Sequence, residues 1–180
     1  MLNLEKALQI KGWMSPDELN FLARTASEAS ITVEFGCFLG RSTRAIADNT
    51  PGIVYAVDPW NGLYFKDDNK PIDLFHINDY TQFKENLADH ISVSKVIPMR
   101  LYSWEFPFKA GSVDFVFIDG DHRFEYVVED IKLAERLVKP GGMIAGHDYT
   151  HQDWPGVKKA VDLAYNKVGR VDSIWWIRKS

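Results

Sequence analysis

The sequence predicts an α/β protein built on an open, doubly wound, mostly parallel sheet of six to seven strands flanked by helices. Three observations carry that prediction. Short β-rich runs alternate with helical stretches along the chain, and most of those runs end in Gly or Asp. One run, Val113 to Ile118, is apolar at nearly every position, as a central strand covered on both faces must be. In such a sheet ligands sit beyond the carboxyl ends of the strands, so function is expected to collect at those termini.

Each element has its own justification. Ser15-Pro16-Asp17-Glu18 reads as a helix start, with a capping serine, a proline in the first turn and two acids complementing the dipole; Leu19, Phe21, Leu22 and Ala26 continue it as one face. Ile31 to Phe35 is a strand ending at Gly36, and Ser42 to Ala47 is a helix stopped by Asn49-Thr50-Pro51-Gly52. Ile53 to Val57 is a second buried strand ending at Asp58-Pro59, followed from Trp60 to Asp73 by a long loop without periodicity. Tyr80, Phe83 and Leu87 fall at helical spacing between Asn78 and Ala88, and Val93 to Pro98 is the third strand.

Val113 to Ile118 runs straight into Asp119-Gly120-Asp121-His122. Glu125 to Val138 is an amphipathic helix closed by Lys139-Pro140-Gly141-Gly142, and Met143 to Gly146 is a fifth strand ending at His147-Asp148. Val157 to Tyr165 is a further helix, and Arg170 to Ile177 makes a closing strand or a tight pair of strands. Of Trp175 and Trp176, one is expected in the core and one at the surface or a dimer contact, while His76 and His90 are expected to be exposed. Lys132 to Lys139 reads as a solvated face. With no repeat or linker, residues 1–180 are expected to form a single domain.

Composition narrows the function classes. A chain of 180 residues that is 46% hydrophobic can bury one continuous core, and its 13% aromatic content argues against disorder. A formal charge of -4 gives no attraction to phosphate backbones or anionic membranes, so neither nucleic acid nor membrane is an expected partner. The lone Cys37 can form no intramolecular disulfide, and Met1 to Gly12 lacks the apolar core of a signal peptide. A cytoplasmic protein is expected.

The first chemical constellation is Glu34 to Ser42, where Gly36 and Gly40 permit a tight turn and bring backbone N–H groups towards an anionic ligand group. Phe38 stands where a dinucleotide loop has its middle glycine, which favours a cofactor without a diphosphate and disfavours a nicotinamide dehydrogenase. The plain alternative is that these glycines only punctuate a turn. Asp58, at the end of the second strand, lies where an acid accepts from ribose hydroxyls, although Asp-Pro is also a common turn dipeptide. Asp119-Gly120-Asp121-His122 and His147-Asp148 deliver two polar clusters to neighbouring strand ends, where they could share a divalent ion. Helix capping by Asp121 and loop initiation by His147-Asp148 are the plain alternatives there.

Taken in order, Val33-Glu34-Phe35-Gly36 with Gly40 and Ser42, Val57-Asp58, Asp114 to His122, Leu137 to Gly142, His147-Asp148-Tyr149 and Pro155-Gly156-Val157-Lys158-Lys159-Ala160-Val161 resemble class I S-adenosylmethionine-dependent methyltransferases with a Rossmann-like fold. Within that class they are similar to small-molecule O-methyltransferases of the catechol and sugar or macrolide type. The resemblance implies that Gly36 lies against the methionine part of S-adenosylmethionine, that Glu34 supports that end, and that Ser42 helps bind its carboxylate. It further implies that Phe38 and Gly40 complete the loop, that Asp58 holds the ribose, and that Met99 and Ser103 line the adenine pocket. Arg100-Leu101-Tyr102 stands where relatives often have an acid.

Asp119, counted with the cofactor residues as well, would hold a divalent metal together with His147 and Asp148, Mg²⁺ being the ion such oxygen donors suit best. His147 departs from the commoner acid. His122 or Asp121 would act as general base on the hydroxyl of a small-molecule acceptor. Trp60, Tyr64 and Phe65 would wall its entrance, and a second subunit could complete an otherwise open site. A metal-independent O- or N-methyltransferase and a non-catalytic cofactor-binding module are the competing readings.

Overall fold

A computed structural model describes residues 2–61, 64–65, 71–72 and 79–180, with only the backbone at 64, 65, 71 and 72. Helices α1 (Glu5–Gln9) and α2 (Pro16–Ala26) precede strand β1 (Ile31–Phe35), helix α3 (Arg41–Asn49) and strand β2 (Ile53–Val57). The short strands β3 (Tyr64–Phe65) and β4 (Pro71–Ile72) pair antiparallel, and helices α4 (Asp79–Asn86) and α5 (Ala88–Ser92) lead into β5 (Val96–Met99). A 3₁₀ turn (Ser103–Glu105), β6 (Val113–Ile118), α6 (Phe124–Leu137), β7 (Val138–Gly146), α7 (Pro155–Ala164), β8 (Gly169–Val171) and β9 (Ile174–Arg178) complete the order.

Seven strands form one sheet in the order β5-β2-β1-β6-β7-β9-β8. The first five are parallel to one another, while β9 runs antiparallel to both β7 and β8, so the tail is the tight pair of strands. The winding reverses between β1 and β6, and at such a switch point the connections leave to opposite faces and open a crevice. Gly36 and Asp119 are the first residues beyond those two strands.

Side-chain alternation builds a core on each face. Phe115 and Phe117 of β6 point to the face covered by α1 to α5, where they join Leu19, Leu22, Ile46 and Phe83. Val116 and Ile118 point to the other, where α6 and α7 supply Val127, Ile131, Leu137 and Val161. Trp175 lies in this second core at 1% exposure, whereas Trp176 is only partly buried, its ring 6.1 Å from Phe21. The predicted start of α2 is a complete capping box, Ser15 Oγ accepting from Glu18 N and Glu18 Oε2 accepting from Ser15 N.

Four details differ from the sequence reading. The helices α1 and α5 were not anticipated, and β5 starts at Val96 rather than Val93 because Ala88–Ser92 takes a helical turn and Ser94, at φ 57°, redirects the chain. β7 begins at Val138 and passes through the predicted turn at Lys139–Gly142, bulging so that the step from Val138 to Met143 faces the shorter one from Val113 to Phe115. His90 is not a free surface residue, since its Nε2 lies 2.7 Å from Asp48 Oδ1. The expected loop from Trp60 to Asp73 contains the β3–β4 pair, and the rest of it beyond Asn61, like His76, lies outside the described residues. Among the described residues no helix is long and apolar enough to cross a membrane.

Candidate active site

Gly36 sits at φ 82°, and a Cβ there would lie 2.1 Å from the carbonyl oxygen of Asp119. Only glycine lets the β1 loop close on the β6 loop in this way. Asp119 N in turn donates to Phe35 O at 2.7 Å, so the two strand ends are tied across the switch point. Gly40, at φ 88°, is needed for a different contact: a Cβ would meet Leu87 at 2.4 Å, and its N–H is spent on Cys37 O. Phe38 adopts φ 47°, its carbonyl accepts from Trp60 Nε1 at 2.8 Å, and its ring lies 5.1 Å from that of the exposed Trp13.

Glu34 is fully buried beneath this loop. Its Oε2 accepts from the Thr43 hydroxyl, while Oε1 is buried without a hydrogen-bond partner. Burial pushes its carboxyl up to about 7, against the lowering influence of the neighbouring Ser42 and Thr43 hydroxyls, with the negative charges of Asp119 and Asp58 adding to the rise. Ser42, itself buried, lies close to this carboxylate. Asp58 braces the loop: Oδ2 accepts from Cys37 N and Phe38 N at 2.8 and 3.1 Å, and Oδ1 accepts from Trp60 N at 2.7 Å. Burial raises the Asp58 pKa, and those three backbone donors oppose the rise.

Beyond β5, Met99 packs half-buried against the second core, and the Ser103 hydroxyl donates to Asp130 of α6. Asp130 is 5% exposed, and burial pushes it up to about 7. Sequence reasoning did not single it out, because an acid inside an amphipathic helix gives no local sign of facing the sheet.

The polar clusters after β6 and β7 converge. One ligand atom each from Asp119, His122 and Asp148 lies within 4.8 Å of the other two, a donor set of two carboxylates and an imidazole. His122 Nε2 is 2.8 Å from Asp148 Oδ2 and 3.8 Å from Asp119 Oδ1, and the Trp154 ring stacks on its imidazole at 4.7 Å. Burial disfavours a charged His122, but the two carboxylates outweigh it and push its pKa up to about 9. Asp148, held at φ 60°, is kept well below the usual carboxylate range by hydrogen bonds from both histidines in spite of its burial.

His147 stands behind this group. Its Nδ1 is 3.3 Å from Asp148 Oδ2 and 3.6 Å from Asp119 Oδ1, and its Nε2 is 3.1 Å from Glu18 Oε1. Burial opposes the charge, yet the surrounding carboxylates push its pKa up to about 12. Glu18 also accepts from Ser173 N at 2.9 Å, which ties α2 and the β8–β9 turn to the centre. This second role is invisible in the sequence, since the capping box fully accounts for an acid at that position. Of the two candidate bases, His122 joins the centre, while Asp121 turns away to pair with Arg123, Oδ1 accepting from Arg123 N at 3.0 Å and Nε at 2.9 Å.

The arrangement offers two carboxylates and two imidazoles beside a glycine loop, a donor set with the geometry to hold a cation. A family described as "Methyltransferase domain" matches residues 33–149. An uncharacterized protein of Acanthamoeba polyphaga mimivirus is 34% identical over 86 residues, covering 44% of this chain, and the match spans only 39% of that relative's own length. The O-methyltransferase of Bacillus cereus in complex with SAH superposes with a TM-score of 0.68 at 19% identity, covering 98% of this chain and 90% of that one. TomG of Streptomyces achromogenes, an O-methyltransferase involved in tomaymycin synthesis and solved with SAM, gives 0.65 at 15% identity, covering 99% and 87%. Such likenesses show a shared fold.

Proposed function

The chain belongs to the methyltransferase-domain family, and on that premise we propose that it transfers a methyl group from S-adenosylmethionine to a hydroxyl of a small molecule, assisted by a divalent cation, Mg²⁺ being the natural choice. The observation that carries this reading is the direct backbone contact of Gly36 with Asp119, which sets the glycine loop beside the acid-histidine centre. Transfer requires donor and acceptor in line and close, and that contact is what brings the two half-sites together.

The residues fit both groups. Glu34 keeps a buried oxygen without a donor, a cost of about 1–3 kcal/mol that the ammonium of a methionine moiety would relieve. Asp58 already accepts three backbone N–H bonds, so a ribose hydroxyl would share a carboxylate that also braces the loop. Met99 and Ser103 would flank the adenine. Asp119 and Asp148 would hold the cation, with His147, whose Nδ1 lies 3.6 and 3.3 Å from their oxygens, as nitrogen donor, which leaves His122 for the proton. When bound, S-adenosylmethionine supplies a methyl group already activated on sulfur, and the cation supplies positive charge that lowers the acceptor hydroxyl's pKa.

The chain's own residues then orient and take the proton. Glu18 and His147 fix Asp148 and Asp119 from behind. His122 is protonated at neutral pH when the two carboxylates are its only partners, so it serves as base only once their charge is shared with another cation. A metal-independent variant has its own support, because an imidazolium at His122 already sits between both carboxylates.

Calorimetric titration of S-adenosylmethionine and SAH into chelator-treated protein, with and without Mg²⁺, tests the reading. Micromolar binding that weakens in Asp58→Ala is expected, and Mg²⁺ is expected to be needed for turnover. Absence of binding in every condition sinks the methyltransferase reading; turnover in chelator leaves the metal-independent form.

A further inference from the structure

A hollow of about 620 Å³ opens beside the centre, and the described residues that wall it are all polar. Ser15, Thr150 and Ser173 contribute hydroxyls, Gln152 an amide, and Asp153 and Asp172 carboxylates, with the His151 imidazole on the rim. Glu18 forms part of the wall and is the residue bonded to His147, so one side chain separates the hollow from the centre. Thr150 follows Asp148 by two residues, and Trp154 closes the same segment by stacking on His122.

We propose that this hollow seats the non-reacting part of the acceptor, and that the acceptor is a polyhydroxylated compound, neutral or amino-bearing, such as a glycoside or amino sugar. The proposal rests on the methyltransferase reading and adds the substrate class. Ser15 Oγ donates to Asp172 Oδ2 and Thr150 Oγ1 to Ser173 Oγ, but an apolar or flat aromatic acceptor would strip water from their remaining lone pairs and from Gln152 and Asp153, a desolvation that nothing on such a ligand offsets. A polyol instead replaces their water one hydroxyl at a time, and the volume is in the range of a small-molecule site. Charge selects further. Glu18, Asp153 and Asp172 line the wall and no lysine or arginine does, so a phosphorylated or carboxylated acceptor is repelled and an ammonium is attracted.

Backbone-amide NMR of the ¹⁵N-labelled protein tests this without requiring turnover, with D-glucosamine, methyl α-D-glucopyranoside, glucose 6-phosphate and catechol as probes. The amides of Thr150 to Asp153 and of Asp172 and Ser173 are expected to shift saturably with the first two. Glucosamine is expected to bind roughly tenfold more tightly than glucose 6-phosphate. The exposed substitution Asp153→Arg should narrow or invert that ratio. Equal or stronger perturbation of these amides by glucose 6-phosphate or catechol overturns the proposal, as does no shift from the two sugars at any soluble concentration. S-adenosylmethionine is titrated separately and read at Gly36 to Gly40, so a missing cofactor response identifies failure of the underlying reading independently of the sugar result.

Discussion

The carboxylate of Glu18 meets the imidazole of His147 at 3.1 Å although 129 residues separate them in the chain. The same side chain closes the capping box of α2 through its other oxygen, so one residue starts a helix and steadies the candidate centre.

Glu18→Gln separates these duties. Glutamine serves at this position of a capping box, but its amide nitrogen cannot accept from His147 or Ser173. A stability loss of about 1–3 kcal/mol is expected by urea unfolding at pH 7, with Glu18→Ala losing more. Glu18 has a lowered folded pKa, so its contribution is present above the unfolded value near 4.5 and is lost as pH falls through the folded one. The gap between wild type and Glu18→Gln should therefore shrink in acid.

Glu34 runs the other way. Its folded pKa of about 7 lies above the ordinary 4.5, so the folded state binds the extra proton and wild-type stability declines as pH rises between those values. Glu34→Gln has no proton to lose, and its stability relative to wild type should improve over that interval by up to roughly 3 kcal/mol. Denaturant curves at pH 5 and pH 8 read this directly. The same variant should bind S-adenosylmethionine more weakly, because the carboxylate offered to the methionine end is gone.

Gly36→Ala should be among the most damaging single substitutions in the chain. It combines a left-handed backbone with a Cβ at 2.1 Å from the Asp119 carbonyl, whereas Gly111→Ala, at φ 66° with nothing near its Cβ, bears the backbone strain alone. A loss of roughly 1–2 kcal/mol is expected at Gly111, and several-fold more, or failure to fold, at Gly36. Thermal unfolding of the pair settles whether the loop contact is as tight as described.

Asp119→Asn and His122→Ala should each lower kcat by about a hundredfold or more while leaving the affinity for SAH within a few-fold of wild type. Equal losses in both quantities would mean that the centre binds cofactor instead of acting on the acceptor. Mn²⁺ titration followed by electron paramagnetic resonance should show binding that Asp148→Asn weakens and His90→Ala leaves unchanged.

How far the sequence reached follows from how local each signal is. β1, β2 and β6 are legible because an apolar run ending in Gly or Asp is itself the mark of a buried parallel strand, and the Ser15 cap announces α2. The short helices α1 and α5 escape notice because five residues hold too little periodicity to register. In the site, Asp119, His122, His147 and Asp148 are all legible as polar residues after strands, and only coordinates show that both imidazoles meet the two carboxylates. The two histidines differ in what lies beyond the centre: Glu18 takes the second nitrogen of His147, and among the described residues no further acid pairs with His122. The Ser103–Asp130 bond is illegible for the same reason: it joins a turn to a helix face through tertiary packing alone.

The antiparallel strand β9 has a consequence for the order of events during synthesis. It lies against β7, Tyr149 N bonds Ser173 O, and Ser173 N bonds the Glu18 carboxylate that holds His147. A nascent chain that has emerged only as far as α7 therefore carries every candidate catalytic residue but lacks the edge that holds them in place. Bracing of the candidate centre is therefore a long-range step that waits on positions 173–178 docking beside β7.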